Sequence, residues 1–225
     1  MSNALKLQDV TAVINGVSRY NGGAFDTVTF KTLLVSETPI EDEYYVPVGV
    51  SPTPAAVALL KEANLKVMPY KASTLLEGTE DIQTEAQEGD TAATQLDAAR
   101  LILLSLLKRT RLTPISAQPG MYVYELSYEQ KIYPVDGPSG NAYEVEFVVP
   151  FDQLAVSPNA GKIEVTVLLP RQTNLLQATG VDPNGGAVSQ LVSQLSNVSR
   201  TAVTFEYHID PVFNIQYQHT AGIQA

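Results

Sequence analysis

EVEFVVPFDQL, residues 144–154, and EVTVLLPRQTNL, residues 164–175, share one plan. Each opens on Glu-Val, runs through apolar-rich positions and stops at a proline, Pro150 or Pro170. A leucine follows in both, Leu154 and Leu175. Proline has no N–H to give a ladder, so it ends a strand or sits at a sheet edge. Val145 and Phe147 share one face of the first run; Ile163, Val165, Val167 and Leu169 share one face of the second. This period of two is that of a half-buried strand. The pair therefore reads as two neighbouring antiparallel strands with similar edge requirements, a short duplication being the alternative. A carboxylate pair doing acid–base chemistry would need other polar groups around it. Glu144 and Glu164 lie in the outward phase of their strands and read as solvent-facing.

The same periodicity extends in both directions. Tyr122, Tyr124, Leu126 and Tyr128 fall on one face of a preceding strand, and Tyr143 joins Val145 and Phe147. Val203, Phe205, Tyr207 and Ile209 define a later strand, and Phe213, Ile215 and Tyr217 another after Pro211. Turn clusters at 136–140 and 158–161 separate the earlier runs. Val188, Leu191, Val192, Leu195 and Val198 match helical spacing, which predicts one helix inserted before the last strands.

The N-terminal half reads differently. Val28 to Ser36 is a strand after the Asn21-Gly22-Gly23 turn, and Tyr44 to Val48 is a second. Thr53 is placed to cap a helix whose first position is Pro54, and Leu65 to Tyr70 is a short third strand. Strand–helix–strand order is compatible with a parallel crossover. Residues 77–90 carry Glu77, Glu80, Asp81, Glu85, Glu88 and Asp90 with no base, the composition of a solvated loop or arm. Leu96, Ala99, Leu103, Leu106 and Leu107 predict a long helix over about 91–109.

The expected fold class is thus α+β. A mixed strand/helix part covers 1–115, with the acidic loop 77–90. An antiparallel β-sandwich-like part covers 116–225, with the inserted helix. The two can equally be layers of one compact domain.

Composition narrows the chemistry. The 225 residues carry 24 acids against 14 bases, a net charge of −10, so the chain repels nucleic acid unless its bases cluster. Lys108, Arg109 and Arg111 form the one cluster. There is no cysteine, which excludes disulfides and thiolate metal sites. No apolar run approaches the roughly 20 residues of a membrane-crossing helix. MSNALKLQDV lacks a signal-peptide core, so signal-dependent secretion is not expected. Charged residues are 17%, and Ser, Thr, Asn and Gln fill the gap. Uncharged polar surface enters an interface at a lower desolvation cost than charged surface.

No catalytic, cofactor or metal site is assigned. The chain has no Gly-x-Ser-x-Gly elbow, P-loop or Gly-x-Gly-x-x-Gly. Its two histidines are His208, expected on a strand surface or in an interface, and His219, expected near a frayed C-terminus. Asp182-Pro183-Asn184-Gly185-Gly186 has the oxygen ligands of a calcium loop but not the spaced acids, and reads as a turn. The candidate interface is the tyrosine series Tyr122, Tyr124, Tyr128, Tyr133 and Tyr143, which can pack in a core, anchor a protein contact or stack sugars.

This profile, tyrosine-rich, cysteine-free and weakly charged, resembles that of many phage virion proteins. The resemblance is compositional and implies a non-enzymatic structural subunit, capsid-associated or part of a tail. It would be made in the cytoplasm and contact other protein subunits as a homo-oligomer or lattice, with no direct nucleic-acid or membrane contact and no cofactor. Two alternatives make distinct demands. A carbohydrate-binding module needs an exposed flat row of tyrosines. A hydrolase needs two carboxylates among Glu144, Glu164 and Asp152 to converge in a pocket.

Overall fold

A computed structural model describes residues 5–50, 53–76, 79–135, 140–149, 162–182, 184–207 and 211–220. In chain order the first strands are β1 (Leu5–Asn15), β2 (Asp26–Ser36), β3 (Glu43–Pro47), β4 (Tyr70–Lys71), β5 (Leu107–Arg111) and β6 (Thr113–Gln118). They are followed by β7 (Met121–Ile132), β8 (Ala142–Phe147), β9 (Lys162–Leu168), β10 (Thr173–Val181), β11 (Ser189–Leu195), β12 (Arg200–Glu206) and β13 (Val212–His219). The helices are α1 (Pro54–Glu62), α2 (Ala72–Leu76), α3 (Ile82–Glu88) and α4 (Thr91–Leu104). The architecture is α+β with a sandwich-like part. The chain forms two compact units, Glu41–Arg111 and a discontinuous one joining Met1–Ile40 to Leu112–Ala225. The expected boundary at 115/116 differs from this division because β1 and β2 pair with strands from the far side of the 41–111 segment.

The discontinuous unit holds a seven-stranded sheet, in the order β11-β12-β9-β1-β2-β7-β6, and a three-stranded sheet, β10-β13-β8. β1 lies at the centre of the larger sheet, antiparallel to β2 and parallel to β9. Its alternation, with Val10, Ala12 and Ile14 buried, is the period-two signal that the N-terminal reading left unused. The two Glu-Val strands are not neighbours: β8 belongs to the small sheet and β9 to the large one. Their likeness reflects the same requirement met twice, an apolar phase turned inward from each side of the sandwich. Pro150 and Leu154 lie outside the described residues, as do most of the 136–140 turn, the 158–161 turn and Ile209. Pro170 is buried just past the end of β9.

Aromatic rings fill the space between the sheets. Phe30 of β2 stacks on Tyr128 of β7 at 4.8 Å between centroids and meets Phe147 of β8 at 5.0 Å. Phe147 stacks on Phe213 of β13 at 5.0 Å, and Phe213 in turn meets Phe205 and Tyr207 at 5.0 and 5.2 Å. Such contacts add to an already large area of buried ring surface.

The segment 188–198 is a strand followed by a short 3₁₀ turn, not a helix: β11 pairs along its whole length with β12, Val192 opposite Val203. Ser, Val and Asn are weak helix formers. The Asp182 carboxylate accepts from the N–H groups of Asn184 and Gly186, both at 2.8 Å, and turns the chain back beside β12. The helical spacing of its apolar residues is overridden by that pairing.

The 41–111 unit has a three-stranded sheet, β4-β3-β5, antiparallel throughout, so β3 and β4 do not form the expected parallel crossover. Thr53 caps α1 as expected, accepting from Ala56 N–H, with Pro54 in the first turn. Leu60, Leu75, Ala99, Leu103, Leu106 and Leu107 form this unit's core. The long helix ends at Leu104, and Leu107–Arg111 continues as β5 along β3. Most of the acidic stretch is ordered: α3 packs on α4 and ends at Gly89, whose φ of 77° only glycine adopts without strain. Residues 77 and 78 lie outside the described set.

Phe213 touches rings from both sheets, so Phe213→Ala is expected to cost about 3–5 kcal/mol of unfolding free energy. Tyr20→Ala, at a side chain 81% exposed, is expected to stay within about 0.5 kcal/mol. Urea titration of both variants measures the contrast.

Candidate functional site

The tyrosine series splits between interior and surface. Tyr124, Tyr128 and Tyr143 are buried, Tyr122 is half-buried and Tyr133 is exposed. Burial pushes the Tyr128 hydroxyl far above its ordinary range. Tyr124 donates no contact surface either: its hydroxyl accepts from Ile40 N–H at 3.1 Å within the same unit. The inward phase of β7, read correctly from the sequence, puts these rings in the chain's own core. The five tyrosines therefore do not form the flat exposed row a carbohydrate module would need.

The two candidate carboxylates among the described residues do not converge. Glu144 and Glu164 face outward from opposite sheets, and Glu144 accepts from the Asn214 amide beside it. Asp152 lies outside the described residues. Among the described residues no group of three or more His, Asp or Glu side chains is placed to hold a metal ion. The basic cluster is already engaged. Arg111 pairs with Glu43 at 2.8 Å and Arg109 with the same carboxylate, whose two hydrogen bonds from these guanidinium groups hold it below the usual range. Lys71 pairs with Asp42 at 2.9 Å beside them.

One polar cluster was not foreseen. His219, expected near a frayed end, is buried at the end of β13, continuing the inward phase of Phe213, Ile215 and Tyr217. Its Nε2 is 2.7 Å from Asp26 Oδ2 and 3.2 Å from Ser18 Oγ. Arg19 Nε donates to its Nδ1 at 3.1 Å, so the ring proton resides on Nε2 and is given to Asp26. Asp26 also accepts from Tyr217 OH and from Ser18 N–H, each at 2.8 Å. Serine, histidine and aspartate thus meet, yet not as a nucleophilic triad. Both carboxylate and hydroxyl share one ring nitrogen, and the other is occupied by an arginine, so no nitrogen is left to take the serine proton. Ser18 and Asp26 are wholly inaccessible to solvent, at 0%. Gly16 closes over the ring, where an added Cβ would stand 2.9 Å from His219 Cε1. The cluster is a structural tie between β2, β13 and the 3₁₀ turn Val17–Tyr20. His208, the other histidine, lies outside the described residues.

What remains exposed and unexplained is apolar. Leu176 and Val181 on β10, Leu191, Val192 and Leu195 on β11, Val198 after it and Val212 on β13 are all exposed. Val181 pairs with Val212 and bridges to Ala187 just before β11, while Leu195 and Val198 lie at the far end of that strand. Leu191 reaches 66% exposure. No helix among the described residues is long and apolar enough to cross a membrane. Neither a family model nor a curated protein matches the chain.

Burial pushes the Asp26 carboxyl up, and the hydrogen bonds from His219, Ser18 and Tyr217 outweigh it, so its net pKa lies below 3.8. A depressed carboxyl contributes stability above its unfolded-state pKa and loses it as pH falls through the folded one. Asp26→Asn is expected to cost roughly 2–4 kcal/mol at neutral pH. The variant should also lose less stability than the parent as pH falls below 3.8, as read by urea unfolding at several pH values.

Proposed function

We propose that the chain is a structural subunit of a larger protein assembly, self-associating or docking on a lattice. A phage virion, with the chain in a capsid-associated or tail role, is the setting its composition resembles. The observation that carries the reading is the set of apolar side chains exposed on β10, β11 and β13 of a chain whose net charge is −10. Apolar groups exposed together mark contact surfaces. The uncharged polar groups between them, Ser189, Gln190, Ser193 and Gln194, can be desolvated against a partner's hydrogen-bonding groups at modest cost. Glu144 and Glu164 lie on different sheets, and His219 is sealed in the core.

Native mass measurement from low to high micromolar concentration tests this reading. The expected result is species at multiples of 24.3 kDa that grow with concentration. A strict monomer across the range would overturn self-association.

A further inference from the structure

We infer that β11 is a self-pairing edge, through which two copies join antiparallel about a two-fold axis at Val192 and fuse two seven-stranded sheets into one. The inference rests on the assembly reading above and names its contact. β11 is hydrogen-bonded to β12 on one side and ends the sheet on the other. An edge strand presents a row of N–H and C=O groups ready to pair with another chain, and proteins commonly blunt such edges with proline, bulges, charge or brevity.

The other free edges carry these devices. β6, at the opposite end of the sheet, has Pro114 and a register break between Pro114 and Ser116. The part of β7 beyond β6 carries Glu129 and Lys131. β8 carries Glu144 and Glu146, and Pro134 bridges to its Tyr143. β10 has a register break between Leu175 and Gln177, and its far end is taken by the bridge from Val181 to Ala187. In the 41–111 unit β4 is two residues long and β5 carries Lys108, Arg109 and Arg111. β11 has no proline, register break or charge, and the contact of β10 with this edge, Val188 N–H to the Gly180 carbonyl at 2.8 Å, lies just before its first residue.

The occupant follows from charge and symmetry. A two-fold axis sets each residue near its own copy, so any charge close to the axis meets a like charge. No ionisable side chain lies between Asp182 and Arg200. On a chain of net charge −10, this neutral strand is where a second copy approaches at least cost. Antiparallel ladders alternate hydrogen-bonded and non-hydrogen-bonded pairs. Two-fold symmetry therefore requires one residue to face itself. With the axis at Val192 all seven residues of β11 pair, and each one-residue shift of the axis shortens the ladder by two. Val192 then faces Val192 of the second copy, Gln190 faces Gln194 with amides able to bond each other, and Leu191 and Leu195 cover Ser193 and Ser189 on the outer face.

Because the chain has no cysteine, Val192→Cys gives a clean probe. Side chains directly opposite in a ladder have Cβ atoms about 4.5–5.5 Å apart. Mild oxidation is expected to yield a disulfide-linked dimer from Val192→Cys far faster than from Ala117→Cys on β6. Val192→Lys and Val192→Glu, at a side chain 44% exposed, should keep the parent circular dichroism. Each alone should weaken the dimer at least about tenfold. Mixing the two should restore it, which a folding defect would not do. If the parent chain associates but both charged variants associate equally well, β11 is not the contact and the assembly reading survives. If the parent stays monomeric and Val192→Cys links no faster than Ala117→Cys, both fall.

Discussion

Three strands cannot cover seven. Strands in a sheet stand about 4.7–4.9 Å apart, so the β10-β13-β8 sheet is much narrower than its larger partner. Within its reach every inward position is filled. Phe213 lies at the hub, with Phe147 beside it and Phe205, Tyr207 and Phe30 within one or two ring contacts. The large sheet ends in β11 on one side and β6 on the other. Val192 is in register with the buried Val203 and Val167, yet is itself exposed.

At one end of the sandwich the gap is closed by polarity instead of rings. Asp26 is held by three donors, from His219, Tyr217 and Ser18, and Arg19 completes the set by binding His219 and the Arg171–Gln172 backbone. Nearby, Arg200 donates to the carbonyls of Leu169 and Ile14. A buried carboxylate is tolerable when its oxygens are hydrogen-bonded, and both of these are. The residue types of a hydrolase are therefore used to fasten β2 to β13.

Much of the fold is legible in residue spacing, because burial of one sheet face writes a period of two directly into the chain. β2, β7, β8, β9, β12 and β13 all show it, and the Thr53-Pro54 start of α1 is a local signal for a local structure. What depends on distant partners is not legible. Val188 to Val198 has helical spacing, and only β12 makes it a strand. β1 carries the right alternation, but nothing in it reveals a parallel neighbour some 150 residues later. His219 meets Asp26 across 193 positions, so its burial had no nearby sign beyond one further step of the β13 alternation. The tyrosines were correctly phased on β7 and β8, but phase does not say whether the inward side meets a second sheet of the same chain or a neighbour.

The interruption of one compact unit by another has a consequence for birth order. As the polypeptide leaves the ribosome, β1 and β2 emerge as an isolated hairpin, which has marginal stability in water. The segment Glu41–Arg111 can close on itself next, since its sheet and helices need no later residues. β1 must wait for Lys162–Leu168 before its second flank is filled. At ordinary translation speeds that interval is on the order of ten seconds. Throughout it, a central strand of the finished protein is an open template, vulnerable to nascent neighbours and dependent on whatever shelters it.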